Sequence, residues 1–374
     1  MSTSGNRQQQ KRKKPPKTYE NKHFSGPLYD PNSSRPGKVQ KTTNDNASND
    51  KQRFERPRKY TITVAIPASV VDSAPTLEMK TILAGQIARS LVIFNVDEVV
   101  IYDDKKKWAD SKINPNLFLA RVLQYMETPQ YLRKALVPFH PDLKFAGLLP
   151  PLETPHHPNL QQAMRYREGV TLNKEGTGTL VDIGMYRRAR LEKLIQPGVR
   201  VTVELPEPLA AADTRKGQKP INVKAVSPKA PREKAGHYWG YHIRLASSFS
   251  RVITESPYEG GYDFTVGISD RDARDMFDDG VTNEVKSFKH LLFAFGGPSG
   301  DLQEAVEADE DLKCAGEDTA ELFDLFVDPS ARAGTRSVRL EARIDYHCDV
   351  RVPGCDFKRV VIKCARETRK KQRT

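Results

Sequence analysis

The stretch best suited to chemistry runs Lys289-His290-Leu291-Leu292-Phe293-Ala294-Phe295 into Gly296-Gly297-Pro298-Ser299-Gly300. An apolar run that ends in paired glycines predicts a buried strand delivering a tight turn. With no Cβ in the way, residues 296 and 297 let backbone amides and carbonyls come close to a ligand. Many such turns only end a strand, so the elements around it decide its meaning. The chain contains no G-x4-G-K-[ST] and no G-x-G-x-x-G, which excludes the P-loop and the dinucleotide fingerprint. His347, Cys348, Cys355 and Cys364 hold metal-ligand chemistry, but without a Cys-x-x-Cys pair the expectation is that no metal is bound.

Charge is the second signal. Residues 1–60 carry 15 Lys and Arg against 5 Asp and Glu, and residues 357–374 carry 8 against 1, which leaves the body between them at −5 out of a total of +12. The positive charge therefore sits in two tails, densest at Lys11-Arg12-Lys13-Lys14 and Arg369-Lys370-Lys371. Tails of this kind bind nucleic acid or direct nuclear import. No window approaches the roughly 20 apolar residues of a membrane span, and the polar N-terminus is no secretory signal. Four irregularly spaced cysteines form no disulfide framework and fit a reducing compartment.

The elements that must position the glycine turn can be read along the chain. Residues 1–58 are polar and lack apolar periodicity, which predicts a disordered basic tail. Tyr60–Pro67 is a β-branched strand, Leu77–Phe94 a helix carrying Met79, Ile82, Leu83, Ile87 and Leu91 on one stripe, and Glu98–Asp103 a second strand. Strand, helix, strand over about 40 residues is a βαβ unit and implies a parallel sheet. Leu117–Met126 and Gln130–Leu136 read as helices, with Tyr125 and Tyr131 as packing residues.

From about residue 165 the texture changes to short strands without helices: 169–172, 178–184, 199–205 and 221–226. That predicts a small antiparallel barrel, OB-like, with a basic end at Lys216, Lys219, Lys224, Lys229, Arg232 and Lys234. Such barrels bind single strands or serve as stabilising inserts. From Tyr238 the α/β alternation returns, with strands at 241–245, 262–267 and 289–295, an acidic helix at 301–312 and a last strand at 321–327. The barrel thus reads as an insertion at 165–236 in one α/β domain (59–164 and 237–344), followed by a basic tail at 345–374.

In order, the segments Leu148–Leu152 with Pro155-His156-His157, Arg167-Glu168-Gly169, Trp239-Gly240-Tyr241, Gly267-Ile268-Ser269-Asp270-Arg271, Phe295-Gly296-Gly297 and Gly334–Ala342 resemble the SPOUT-class RNA methyltransferases, in the eukaryotic and archaeal branch whose SPOUT domain carries a β-barrel insertion. The resemblance implies an α/β domain with a trefoil knot, S-adenosylmethionine as cofactor, a homodimer that completes the site, and RNA, ribosomal above all, as substrate. It puts the cofactor against three loops, at Gly267 and Ser269, at Phe295, Gly296 and Gly297, and at Gly334, Arg336, Ser337 and Val338. Arg271 takes the place of the family's arginine, holding RNA phosphate or offsetting charge on the reacting base; the other reading is a surface arginine. Ser269 could cap its turn or hydrogen-bond the cofactor. His156 and His157 could face the target nucleotide or serve local structure, Arg339 could meet RNA or form a structural pair, and Lys224, Lys229 and Arg232 are the barrel's RNA-contact candidates.

Three departures accompany the resemblance. Asp270 stands for the family's glutamate, residues 328–333 lack a Cys-Pro-x-Gln, and the chain after Ile344 has no amphipathic closing helix. The expectation is a methyltransferase acting on a uridine nitrogen ahead of a ribose hydroxyl, resident in the nucleus or nucleolus. The competing reading is a catalytically inactive RNA-binding scaffold that keeps the fold.

Overall fold

The computed structural model describes residues 57–105, 113–175, 178–284, 287–298, 301–334, 338–340 and 342–344. The two basic tails, the segment from Asp345 onward, Cys348, Cys355 and Cys364, and the site candidates Arg336 and Ser337 lie outside the described residues.

Seven strands form the main sheet: β1 (Thr61–Pro67), β2 (Glu98–Tyr102), β9 (His242–Ala246), β10 (Phe264–Ile268), β11 (Arg274–Asp275), β12 (His290–Phe295) and β13 (Leu325–Asp328). Their order is β11-β13-β10-β12-β1-β2-β9, and every pairing is parallel. A parallel sheet is covered on both faces, and the alternation of the strands shows by what. Ile62, Val64 and Ile66 of β1, with Phe293 of β12, pack among α1 (Leu77–Ile93) and α2 (Pro115–Glu127). Ala65 of β1, with Val100, Leu292 and Ala294, faces the opposite layer, built from α4 (Phe249–Thr254) and α6 (Leu302–Glu307). The shorter helices α3 (Gln130–Leu136) and α5 (Asp279–Glu284) complete the set.

The helix ends are locally encoded. Thr76 Oγ1 accepts from the Met79 N–H at the start of α1, and Asn114 Oδ1 from the Leu117 N–H at the start of α2, with Pro115 supplying a fixed φ in the first turn. One expectation about α1 is corrected. Met79 and Ile82 are exposed, and the buried stripe is Leu83, Ala84, Ile87, Ala88 and Leu91. Two of these five are alanines, so a stripe drawn through the large apolar residues alone is rotated from the true one.

The second sheet runs β7 (Ile221–Asn222), β5 (Ala189–Leu191), β4 (Gly178–Asp182), β3 (Met164–Glu175), β6 (Arg200–Leu209), β8 (Lys224–Val226). All its pairings are antiparallel except β5 with β7. Its two edge strands are separated by Val223 alone, so the sheet must curl back on itself into a nearly closed barrel. Val181, Ile183, Leu191, Val203, Leu205, Ile221 and Val223 fill its interior.

Candidate active site

Because the main sheet is all parallel, the carboxyl ends of its strands share one edge. From β1 the chain moves through α1 to β2, toward the β9 side; from β12 it moves through α6 to β13, on the other side of β10. Neighbouring strands whose exits diverge leave a crevice between them, which is where open α/β sheets take ligands. Here the crevice lies between Pro67 and Phe295, with the glycine turn at its mouth.

Neither Gly296 nor Gly297 has a positive φ, so their role is close approach. A Cβ on Gly296 would overlap Asp301 Oδ1 and the Leu302 amide. A Cβ on Gly297 would stand 2.6 Å from Ser69 Oγ, 2.9 Å from Asp104 Oδ2 and 3.2 Å from Pro67 Cγ. The polar atoms around the turn are unusual. Ser69 Oγ and Asp301 Oδ1 are buried with no hydrogen-bond partner, although such atoms in folded proteins are nearly always satisfied. The Ser69 amide donates to Asp104 Oδ1 at 3.1 Å. The Tyr102 hydroxyl donates to the Phe295 carbonyl at 2.7 Å.

The loop after β10 closes the other side. Ser269 Oγ accepts from the Arg271 N–H at 3.0 Å and its hydroxyl meets the Asp301 carboxylate, which also accepts from the Asp270 N–H at 3.1 Å. Arg343 returns from the end of the described chain to pair with Asp270 at 2.6 Å and to lie 3.8 Å from Asp301. Burial raises the Asp301 pKa against the hydrogen bond from Ser269.

Several expected site residues have partners within the fold. Gly267 is a close-packed position, where the Phe326 and Phe323 rings would stand 2.6 and 2.7 Å from a Cβ. Ser269 caps its own turn. Phe295 is buried and takes part through its carbonyl alone among the hydrogen bonds above. Arg271 is exposed and paired with Glu304 at 2.8 Å. Gly334 has open space beside it, Val338 is half-buried and Arg339 exposed. Ser69, Asp104, Asp301 and Arg343 were missed, because their partners lie 31 to 73 residues away in sequence.

The remaining motif residues converge at the opposite, amino-terminal edge, where the barrel meets the sheet. Arg200 of β6 holds Glu127 of α2 through two bonds of 2.6 and 2.8 Å, and its Nε donates to Glu168 of β3 at 2.8 Å. Thr202 donates to Glu168 at 2.6 Å, and the Trp239 indole N–H also points to it. His156, wholly buried, and His157 both turn to the Glu127 carbonyl. Gly240, at φ +81°, leaves room for Glu127 Oε1 that a side chain would take. Burial alone would raise the Glu127 pKa, but hydrogen bonds from His156 and Arg200 outweigh it and hold the group at about 2. Arg167 is buried beside Tyr131, its Nε donating to the Ile183 carbonyl at 3.0 Å.

This corrects the RNA contact expected of His156, whose ring is wholly buried; His157 is half-buried, with its ring nitrogens turned to the Leu152 and Glu127 carbonyls. It corrects Arg232 too, which is buried and paired with Asp97 at 2.7 Å. Lys224 and Lys229 are exposed, and Lys229 borders a cleft of about 690 Å³ beside the junction. Among the described residues no group of three or more His, Cys, Asp or Glu could hold a metal ion, and no helix is long and apolar enough to cross a membrane.

A covered parallel sheet with a glycine turn and unsatisfied buried polar atoms at its switch point defines an α/β protein arranged to hold a small ligand at its carboxyl edge. The chain belongs to the RNA methyltransferase family: residues 61–344 match the family described as "Putative RNA methyltransferase". It is 43% identical over 309 residues to a mouse (Mus musculus) protein named 28S rRNA (uridine-N(3))-methyltransferase, covering 78% of this chain and 76% of that one. Proteins of the same name from Homo sapiens and Drosophila melanogaster are each 40% identical, over 78% and 79% of this chain and 78% and 62% of theirs. The chain is therefore an enzyme of the methyl-transferring class, and its site must accommodate a methyl donor.

Proposed function

We propose that the methyl donor is S-adenosylmethionine, held at the Gly296-Gly297 crevice, and that the acceptor is N3 of a uridine in large-subunit ribosomal RNA. One observation carries the cofactor assignment: Ser69 Oγ and Asp301 Oδ1 are buried and unpartnered beside a turn that a Cβ would fill. S-adenosylmethionine is cationic at its sulfonium and its amino group, and a buried carboxylate with an oxygen that accepts no hydrogen bond, Arg343 lying 3.8 Å from it, complements such charge. The acceptor assignment rests on the names of the relatives from mouse, human and fly.

When bound, the cofactor supplies a methyl group already activated by its positive sulfur. The protein's task is alignment and exclusion of water. Gly296 and Gly297 admit the cofactor to the strand ends, and Asp301, fixed by Ser269 and the Asp270 amide, offers the negative charge. Arg271 stands at the exposed rim, where RNA phosphate can replace Glu304 as its partner. The finer architecture follows the SPOUT resemblance: a knotted domain formed by 59–164 and 237–344, an OB-like insertion at 165–236, a homodimer, and nuclear residence.

Calorimetric titration of the full-length protein with S-adenosylmethionine, beside Gly297→Arg, tests the cofactor. Binding abolished in the variant is the expected result; no binding by folded wild-type protein overturns the assignment. Reverse-transcription stops on 28S rRNA incubated with protein and cofactor then read out N3-methylation, which blocks the pairing edge.

A further inference from the structure

Methylation at a ring nitrogen that carries a hydrogen requires a proton acceptor as well as a methyl donor. Four carboxylates lie near the carboxyl edge close enough to consider. Asp301 is 4% exposed, and one of its oxygens is occupied by Ser269 and the Asp270 amide. Asp270 is paired with Arg343 at 2.6 Å. Asp72 is paired with Lys105 at 2.8 Å and lies 3.8 Å from Lys80. Asp104 differs from all three. Its Oδ1 is fixed by the Ser69 amide, it is half-buried, and no hydrogen bond among the described residues reaches Oδ2.

That free oxygen faces the same space as the unpartnered Ser69 hydroxyl. Both lie within 3 Å of the position that a Cβ on Gly297 would occupy. Ser69 is wholly buried, so its unsatisfied hydroxyl is an independent sign that something polar completes this corner. From these contacts we infer that Asp104 is the catalytic base, its Oδ2 accepting the N3 proton of the uridine, with Ser69 completing the polar wall of the pocket. The inference rests on the acceptor being a uridine nitrogen, as proposed above.

The step balances without a further reagent. The N3–H proton passes to the Asp104 carboxylate, and the nitrogen's electron pair forms the new bond to the methyl carbon. The electrons of the carbon–sulfur bond stay with sulfur, which loses its positive charge. The Asp104 carboxylic acid then releases its proton to water. Burial raises the Asp104 pKa against the hydrogen bond from the Ser69 amide and the charge of Lys105, both of which lower it, so the group is a stronger base than an exposed aspartate. Among the described residues, the charged and titratable groups around it are Asp103, Lys105 and Tyr102 on its own segment, Asp72 and Lys80 from the β1–α1 side, and Asp301 from the start of α6.

The test compares wild type, Asp104→Asn and Asp104→Glu. Three measurements are made: single-turnover methylation of 28S rRNA across pH, cofactor affinity by calorimetry, and the carboxyl carbon titration of the cofactor-free protein by NMR. Asp104→Asn is expected to slow transfer 100-fold or more while binding cofactor within about threefold of wild type; general-base catalysis typically contributes 10²–10⁴-fold. Asp104→Glu should recover part of the rate, and the acid limb of the wild-type pH profile should vanish in Asp104→Asn. A carboxyl signal missing from Asp104→Asn should titrate above the ordinary aspartate range. Transfer by Asp104→Asn within a few-fold of wild type, or an ordinary titration at that carboxyl, overturns the base assignment alone. A wild type that binds cofactor but leaves uridine N3 unmodified overturns the acceptor assignment and the base with it.

Discussion

The two edges of the main sheet are both lined with buried charge, and they could hardly be treated more differently. At the amino-terminal edge, Glu127, Glu168 and Arg200 form a network in which each carboxylate is met by an arginine and at least one further donor. At the carboxyl edge, Ser69 Oγ and Asp301 Oδ1 accept or donate no hydrogen bond, Arg343 lying 3.8 Å from the latter, and no hydrogen bond among the described residues reaches Asp104 Oδ2. The contrast lies in the carboxylates, since His156 Nδ1 and Arg167 Nη1 at the amino-terminal edge are also buried without hydrogen-bond partners: a buried carboxylate met by several donors acts as a structural joint, and one with an oxygen that accepts no hydrogen bond has room for a further donor. The family's motif segments divide along this line. His156, His157, Arg167, Glu168 and Trp239 build the joint between sheet and barrel, while Ser269, Gly296 and Gly297 lie at the carboxyl edge.

The comparison predicts opposite responses to substitution. Glu127→Ala removes the partner of Arg200 and should cost about 3–5 kcal/mol, the range for breaking a buried pair; denaturant unfolding measures it, and a loss under 1 kcal/mol would mean the network is not a joint. Acid probes the same group without mutation. Its folded pKa of about 2 lies below the unfolded value of 4.5, so its contribution is present above pH 4.5 and is lost as pH falls from there toward 2. The shift corresponds to about 3 kcal/mol, and Glu127→Gln should flatten this part of the stability curve. Ser69→Ala, at the other edge, should leave stability unchanged or raise it by up to about 1 kcal/mol, because an unmatched buried hydroxyl is removed. Cofactor affinity should fall in that variant, and unaltered affinity would strike Ser69 from the site. The smallest effect belongs to Arg271→Ala. Its exposed pair with Glu304 is worth less than about 1 kcal/mol, so stability should not move, while a weaker apparent affinity for RNA that is lost at high salt would mark a phosphate contact.

Much of the architecture was legible because it is encoded locally. The apolar runs at 61–67, 98–102 and 290–295 are strands, and the α1 and α2 caps at Thr76 and Asn114 sit in short-range patterns. The texture change near residue 165 marks the second sheet. Other elements left little trace: β11 is two residues long, β5 three, and α1 buries alanines that a search for large apolar residues passes over.

The sequence by itself determined that this chain has a parallel α/β sheet, a separate short-strand region and a glycine turn at a strand end, because periodicity, β-branching and the missing Cβ act over a few residues. Which residues that turn meets was decided only by the tertiary structure. Ser69, Asp104 and Asp301 come to residues 296 and 297 from three different strand exits. The same packing withdrew His156 and Arg232 into the interior and set Gly267 against two phenylalanine rings. A histidine or a glycine looks alike in sequence whether it faces a ligand or a neighbour, and only the fold supplies the neighbour.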